Sequence, residues 1–80
     1  MIALAKTEKE WAERAARHLK AELKRADVTY EKLADRLKEH GLTETRDSIA
    51  AKLKRGTFSA TFFIGCLAAL EITSMRLEEI

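Results

Sequence analysis

The chain contains no proline and only three glycines in 80 residues, and this absence constrains its fold more than any other feature. Proline and glycine are the residues that most often interrupt a helix. Alanine, leucine, lysine, arginine and glutamate are abundant instead, and all five favour the α-helix. We therefore predict an all-α protein. The length fits a single domain over residues 1–80, with residues 1–6 as a flexible N-terminal tail.

Two amphipathic helices are predicted in the first half of the chain. Thr7 and Glu10 have the spacing of a capping box, and the helix that follows them ends near Ala26 or Asp27. Thr29 is the next N-cap, and Gly41 ends the second helix because glycine readily takes the left-handed conformation. Apolar residues recur at helical spacing in both segments: Trp11, Ala15, Leu19 and Leu23, then Tyr30, Leu33, Ala34 and Leu37.

The second half of the chain predicts two further helices of similar length. Thr43 or Thr45 caps the third helix, which ends at Gly56. Ser59 begins the fourth helix, which covers residues 60–70. The residues expected to face the core are Ile49, Ala50 and Leu53 in the third helix and Phe62, Phe63, Cys66, Leu67 and Leu70 in the fourth.

A fifth, short helix is predicted at the C-terminal end of the sequence. Thr73 or Ser74 caps it, and Leu77 and Ile80 of its sequence MRLEEI face inward. The expected architecture is therefore a compact bundle of five helices without strands.

Positive charge is concentrated around the third helix, although the net charge of the whole chain is only +2. Residues 46–70 contain four basic residues and one acid, whereas residues 71–80 contain three acids and one base. A net charge of this size does not identify a nucleic-acid partner, but the distribution points to the third helix as the surface for one.

The sequence favours a soluble cytoplasmic protein that has no membrane partner. Its single cysteine, Cys66, has no second cysteine with which to form an internal disulfide. The apolar run at residues 2–5 is too short for a signal peptide. The longest apolar segment, residues 62–70, is far shorter than the roughly 20 residues that cross a bilayer.

Neither catalysis nor cofactor binding is expected. His18 and His40 are far apart in sequence and have no partner at metal-ligand spacing. Ser48, His40 and Asp47 match a catalytic triad by residue type, but nothing in the pattern places them around a pocket. We expect no enzyme activity, no metal, no cofactor and no small-molecule ligand.

The second and third predicted helices have the features of a helix-turn-helix. Two short amphipathic helices, of which the second is basic, are joined by a segment that contains a glycine. In such a unit the first helix, here residues 30–39, lies across the phosphate backbone. The second helix lies in the major groove and presents side chains to the base edges.

The second half of the chain resembles the lambda-repressor-like (Cro/C1-type) helix-turn-helix domains. The resemblance lies in the segment KLKRG at residues 52–56, a short loop, and the segment CLAALEITSMRLEEI at residues 66–80. It covers about residues 28–80, with the Trp11 helix in the place of the first helix of that family. The chain also looks like a small uncharacterised bacterial domain family of that fold. This resemblance implies a role in bacterial transcription regulation.

Three features of the chain depart from that pattern and keep a second function open. The segment between the two helices is longer than the usual turn of about 3–4 residues. The chain has no Asn and no Gln, so bidentate amide contacts to adenine are excluded. Glu44 and Asp47 lie at the N-terminal end of the third helix, where their carboxylates would repel phosphates. The alternative is a protein–protein interaction module that keeps the fold without reading DNA.

Double-stranded DNA is the predicted partner, and a homodimer is the predicted assembly. Lys32 or Arg36 of the second helix could add phosphate contacts. Ile64 and Ala68 point away from the core face of the fourth helix and are assigned to the dimer interface. The candidate DNA contacts are Thr45, Arg46, Ser48, Lys52, Lys54 and Arg55.

Overall fold

The computed structural model describes residues 4–80, and within this range the chain folds as an all-helical protein without strands. Four α-helices follow one another along the chain: α1 (Glu8–Ala26), α2 (Tyr30–Lys38), α3 (Arg46–Arg55) and α4 (Ala60–Ala69). A 3-10 turn, Leu77–Glu79, comes after them. No helix in this range combines the length and the apolar character required to cross a membrane.

Each α-helix begins at a hydroxyl residue that accepts a hydrogen bond from a backbone amide three residues later. The predicted caps Thr7, Thr29 and Ser59 accept from the amides of Glu10, Lys32 and Phe62, and Thr45 rather than Thr43 accepts from that of Ser48. These bonds satisfy donors that a helix N-terminus otherwise leaves unpaired. In the predicted capping box the Glu10 carboxylate would accept from the Thr7 amide. It accepts instead from the Lys6 amide at 3.0 Å.

Left-handed residues end the first three helices close to the predicted positions. Asp27 follows α1 with a φ of 56°, and Gly56 follows α3 with a φ of 80°. Beyond α2, Gly41 has a φ of 82°, and the Leu42 amide donates to the Leu37 carbonyl at 3.0 Å. These are the hydrogen-bonded endings expected where a chain leaves a helix through a left-handed residue.

The core lies where α4 meets α1 and α2, and α2 also packs against α3. It is entirely apolar, because no polar or charged residue among residues 4–80 is buried. Half-buried residues, among them Leu42 and Phe63, surround it. Its most deeply buried side chains come from all four helices: Leu19, Leu33, Leu37, Ile49, Leu53, Phe62 and Cys66.

The predicted fifth helix is wrong in its extent and in its orientation. Only Leu77–Glu79 is helical there, as a 3-10 turn, and its N-cap residue Arg76 makes no side-chain capping bond. Leu77 was expected to face inward but is 62% exposed. Six residues give fewer than two helical turns, which does not recover the cost of helix nucleation unless the segment packs against the core.

Residues 1–6 were predicted to be a flexible tail, and residues 1–3 of that segment lie outside the described range. Within the remainder, Ala5 is buried and the Lys6 amide is held by Glu10.

Gly65 allows the α2–α3 connection to lie directly on α4. A Cβ atom placed on Gly65 would come within 3.0 Å of Leu42 Cδ1 and within 3.1 Å of Leu42 Cδ2. Since Gly65 has an ordinary helical backbone, its lack of a side chain serves this close approach rather than a special conformation.

Substitution of Gly65 by valine should destabilise the protein by about 1–3 kcal/mol, because the new side chain meets Leu42 in a packed site. Helix propensity alone predicts the opposite sign, since valine is the better helix former. Urea unfolding of Gly65→Val measures the difference. Ala21→Val, at an exposed position of α1, is the control, and it should lose less than about 1 kcal/mol. A Gly65→Val protein as stable as the parent would show that the contact is not tight.

Candidate nucleic-acid interface

Helix α3 is held at both ends, which fixes the direction of its side chains. At its N-terminus Thr45 and Ser48 form a reciprocal capping box, in which each side chain accepts from the other residue's amide at 2.9–3.0 Å. At its C-terminus the Gly56 amide donates to the Lys52 carbonyl. Ile49 and Leu53 anchor one side of the helix in the core. The opposite side must therefore face solvent.

The solvent-facing side of α3 differs in part from the set of predicted DNA contacts. Thr45 and Arg46 at its start are exposed, as predicted contacts should be, but Ser48 and Lys52 are only half-buried positions at its edge. Five residues of α3 are exposed: Arg46, Lys54 and Arg55, which were predicted contacts, and Asp47 and Ala51, which were not.

Glu44 binds two of the predicted DNA contacts within the protein itself. Its carboxylate accepts a hydrogen bond from Ser48 Oγ at 2.7 Å through Oε1 and from Lys52 Nζ at 2.5 Å through Oε2. The Glu44 side chain is only 11% exposed and that of Lys52 28% exposed. The ammonium group of Lys52 also lies 4.8 Å from the centroid of the Phe62 ring, a cation–π distance. This ion pair joins the α2–α3 connection to α3 and α4.

The electrostatic balance at Glu44 favours its charged form. Burial by itself raises the pKa of the Glu44 carboxyl, but the hydrogen bonds from Lys52 and Ser48 and the charge of Lys52 outweigh this effect. The net result is a pKa below the ordinary value of 4.5. The charge of Glu44, which was expected to repel phosphates, is thus paired with Lys52 within the protein.

The four cations predicted for this surface are therefore not equivalent. Arg46 Nη2 lies 3.2 Å from the carboxylate of Asp47, so these two exposed charges offset each other. Arg55 donates from Nε and Nη2 to the carbonyl of Thr57, at 3.2 and 3.0 Å. Among the described residues, Lys54 has no hydrogen-bond or ion-pair partner. Once the internal pairs are discounted, the charge left on this face is positive.

The two basic residues of α2 also differ in their surroundings. Lys32 is exposed. Arg36 instead donates from Nη1 to the Ala69 carbonyl at 3.3 Å, at the C-terminal end of α4. Arg36 thus contacts a carbonyl that the helix itself leaves without a partner.

Ile64 and Ala68, predicted for a dimer interface, both lie on the exposed side of α4. Ile64 is 63% exposed, which is a large value for an aliphatic side chain in the middle of a helix. Among the described residues, none of α3 lines the shallow depression that contains Ile64 and Ala68.

The sequence analysis did not include Ala51 in the exposed face of α3, and it did not predict that Glu44 pairs with Lys52. The reasons differ. Helical periodicity alone places Ala51 opposite Ile49 and Leu53, so its position was within reach of the pattern. Glu44 precedes α3 and is eight residues from Lys52, a separation at which no helical spacing predicts an ion pair. Only the path of the connection brings the two together.

Cys66 is part of the core rather than of a reactive site. Its thiol is fully buried next to Phe62 on α4. Burial raises the pKa of the Cys66 thiol to about 12, and the nearby Glu44 charge adds to this while Lys52 opposes it. Since the thiolate is the reactive form, this cysteine should be inert in the folded protein.

Replacement of Glu44 by glutamine should remove stability that depends on pH. The lowered pKa of Glu44 stabilises the fold fully above the unfolded value near 4.5 and loses this effect as the pH falls through the folded value. Urea unfolding between about pH 3 and pH 7 should therefore show Glu44→Gln less stable than the parent by about 1–3 kcal/mol near neutrality. The gap should close in acid.

Glu39→Gln, at an exposed glutamate beside α2, is the control and should stay within about 0.5 kcal/mol of the parent. A Glu44→Gln protein whose deficit is the same at every pH would contradict the ionic origin of the effect.

Alkylation of Cys66 by iodoacetamide should be slow in the native protein and fast in urea, because labelling requires exposure of the buried thiol and its ionisation. Mass spectrometry over time measures the rate. The reference is Ala51→Cys in a Cys66→Ala background, which carries one thiol on the exposed face of α3 and should label like a free thiol. Equal native rates at the two positions would show that Cys66 is accessible.

Comparison with known proteins gives a family but no activity. No curated protein and no solved structure matches the chain. A family model described as a domain of unknown function, DUF6471, matches residues 11–75, which include α1–α4 in all but the first residues of α1. The chain therefore belongs to the DUF6471 family.

Proposed function

We propose that this protein binds double-stranded DNA through the exposed face of α3, as a domain of the transcription-regulator type. The observation that carries the proposal is the charge that remains after the internal ion pairs of α3 are discounted. Glu44 offsets Lys52 and Arg46 offsets Asp47, which leaves Lys54 and Arg55 as a positive pair on the exposed face. Positive charge on one face of a helix attracts the phosphate backbone.

The packing of α2 and α3 supports this proposal. In a helix-turn-helix, one helix braces a second that enters the major groove. Here α2 packs against α3, and both ends of α3 are capped. Residues 39–45 connect the two helices, more than the usual turn of about 3–4 residues. In place of a tight turn, the Glu44–Lys52 ion pair fixes the connection against α3.

The residues of α3 take different roles in the proposed complex. Lys54 and Arg55 contact phosphates, while the small side chain of Ala51 lets the helix backbone approach the groove. Thr45 and Arg46 lie at the exposed N-terminal end, within reach of the groove edge. Ser48 and Lys52 have a structural role in this scheme, since Glu44 binds both. Backbone contact therefore dominates over base reading, which agrees with the absence of Asn and Gln.

The alternative function is a protein–protein interaction module, and one observation favours it. Arg46, Lys52, Lys54 and Arg55 would together form a positive ridge, but Lys52 and Arg46 pair with acids of the same chain. A ridge interrupted in this way suits an acidic or mixed protein surface as well as it suits DNA. Binding to duplex DNA separates the two functions, because only the first predicts a strong dependence on salt.

Titration with mixed-sequence duplex DNA at several salt concentrations should show binding that weakens as salt rises, since phosphate contacts release counterions. Lys54→Ala should lower the slope of log K against log salt by about one. Lys52→Ala should change that slope little and should reduce stability instead, because Lys52 is the internal partner of Glu44. Fluorescence anisotropy measures the first effect and urea unfolding the second.

Lys24→Ala is the matched control. Lys24 is an exposed lysine on α1, so this substitution removes the same charge from another helix. If Lys24→Ala and Lys54→Ala lower the slope equally, the attraction is general and α3 is not the interface. If the parent shows no binding even in low salt, DNA is not the partner and the interaction-module function takes its place.

A further inference from the structure

Ala51 is the one apolar residue among the five exposed positions of α3. It comes four residues after Asp47 and three residues before Lys54, and residues at these spacings are neighbours on one side of a helix. Ile49 and Leu53, two residues before and two residues after Ala51, are buried in the core. The Ala51 methyl group therefore points outward, in the middle of the surface that is proposed to meet DNA.

The polar side chains in the first part of α3 are bound within the protein. Ser48 and Lys52 donate to the Glu44 carboxylate at 2.7 and 2.5 Å. Arg46 Nη2 lies 3.2 Å from the carboxylate of Asp47. Guanine presents two acceptors in the major groove, and a carboxylate beside them repels that edge. Since the chain also has no Asn and no Gln, few polar groups of this helix remain to read a base.

We propose that Ala51 determines the sequence preference of this interface, because its methyl group packs against the C5-methyl group of thymine in the major groove. This inference rests on the proposed function, which supplies the duplex. Of the four bases, thymine alone presents an apolar group at its major-groove edge. Contact between two methyl groups removes apolar surface from water and requires no hydrogen-bond partner. The preferred ligand is therefore a duplex with a thymine opposite Ala51.

The position of Ala51 on a capped and anchored helix suits a contact of short range. Apolar contacts act only when the two groups touch, so the distance between helix and groove must be reproducible. Both ends of α3 are capped, and its inner side is held in the core by Ile49 and Leu53. In the proposed complex, Lys54 and Arg55 set the distance to the phosphate backbone. Ala51 lies one turn before them, where its short side chain brings the helix close to the bases.

The preference for thymine should be modest and independent of salt. Burial of one methyl group changes a binding constant by about two- to fivefold. Removal of that methyl group from the DNA leaves the number of phosphate contacts unchanged, so the slope of log K against log salt should stay the same. The slope therefore reports the phosphate contacts, and the affinity ratio reports the methyl contact.

Two duplexes that differ only in the thymine methyl group test the inference. One is a mixed-sequence duplex, and the other is the same duplex with uracil in place of every thymine. Fluorescence anisotropy with the full chain in low salt should show the thymine duplex bound about two- to fivefold more tightly by the parent. Ala51→Gly should bind both duplexes equally, because it lacks the methyl group. Ala51→Ser, a better helix former than Ala51→Gly, should also lose the ratio, because it places a hydroxyl group at this position.

Ala21→Gly, the same substitution at an exposed alanine of α1, is the matched control and should keep the ratio of the parent. Thr45→Ser should keep it too, since it removes another methyl group at the start of α3 but retains the hydroxyl that caps the helix. Circular dichroism should show all four variants folded.

The outcomes separate this inference from the proposed function. Equal, salt-dependent binding of both duplexes by the parent would overturn the inference and leave DNA binding by α3 in place. An Ala51→Gly protein that keeps the parent's ratio would overturn it as well, because another group would then read the methyl. A parent that binds neither duplex in low salt would overturn the proposed function and this inference with it.

Discussion

The burial of one side of α4 is the interaction on which the rest of the structure depends. Phe62 and Cys66 lie where α1 and α2 meet α4, and α2 in turn supports α3. The same side of α4 carries Gly65, whose missing side chain admits Leu42 of the α2–α3 connection. A small domain can bury only one core, so α4 sets both the position of α2 and the path of the connection. The placement of α3 follows from these two constraints.

That path has an electrostatic consequence at α3. The connection brings Glu44 beside α3, where its half-buried carboxylate accepts hydrogen bonds from Ser48 and Lys52. A carboxylate in such a position requires a partner, because burial without compensation is costly. The cation that pairs with it is then lost from the surface. Helix α3 is basic in sequence, but the cations in its first part are paired with acids. Its net positive charge therefore lies at its C-terminal end.

The exposed sides of α3 and α4 differ in their chemistry. The exposed face of α3 combines charges with one small residue, whereas the exposed side of α4, with Thr61, Ile64 and Ala68, is uncharged. Long-range attraction to a polyanion belongs to the first surface, and short-range apolar packing to the second.

Four of the five predicted helices were determined by the sequence itself, because their signals are local. Hydroxyl N-caps, left-handed endings and apolar spacing act within a few residues, and they located Thr7, Thr29, Ser59 and Gly56 correctly. The same periodicity identified Ile64 and Ala68 as outward. The loss of the fifth helix and the pairing of Glu44 with Lys52 were decided only by the tertiary structure. Each depends on contacts between segments distant in sequence, for which one chain's local pattern carries no signal.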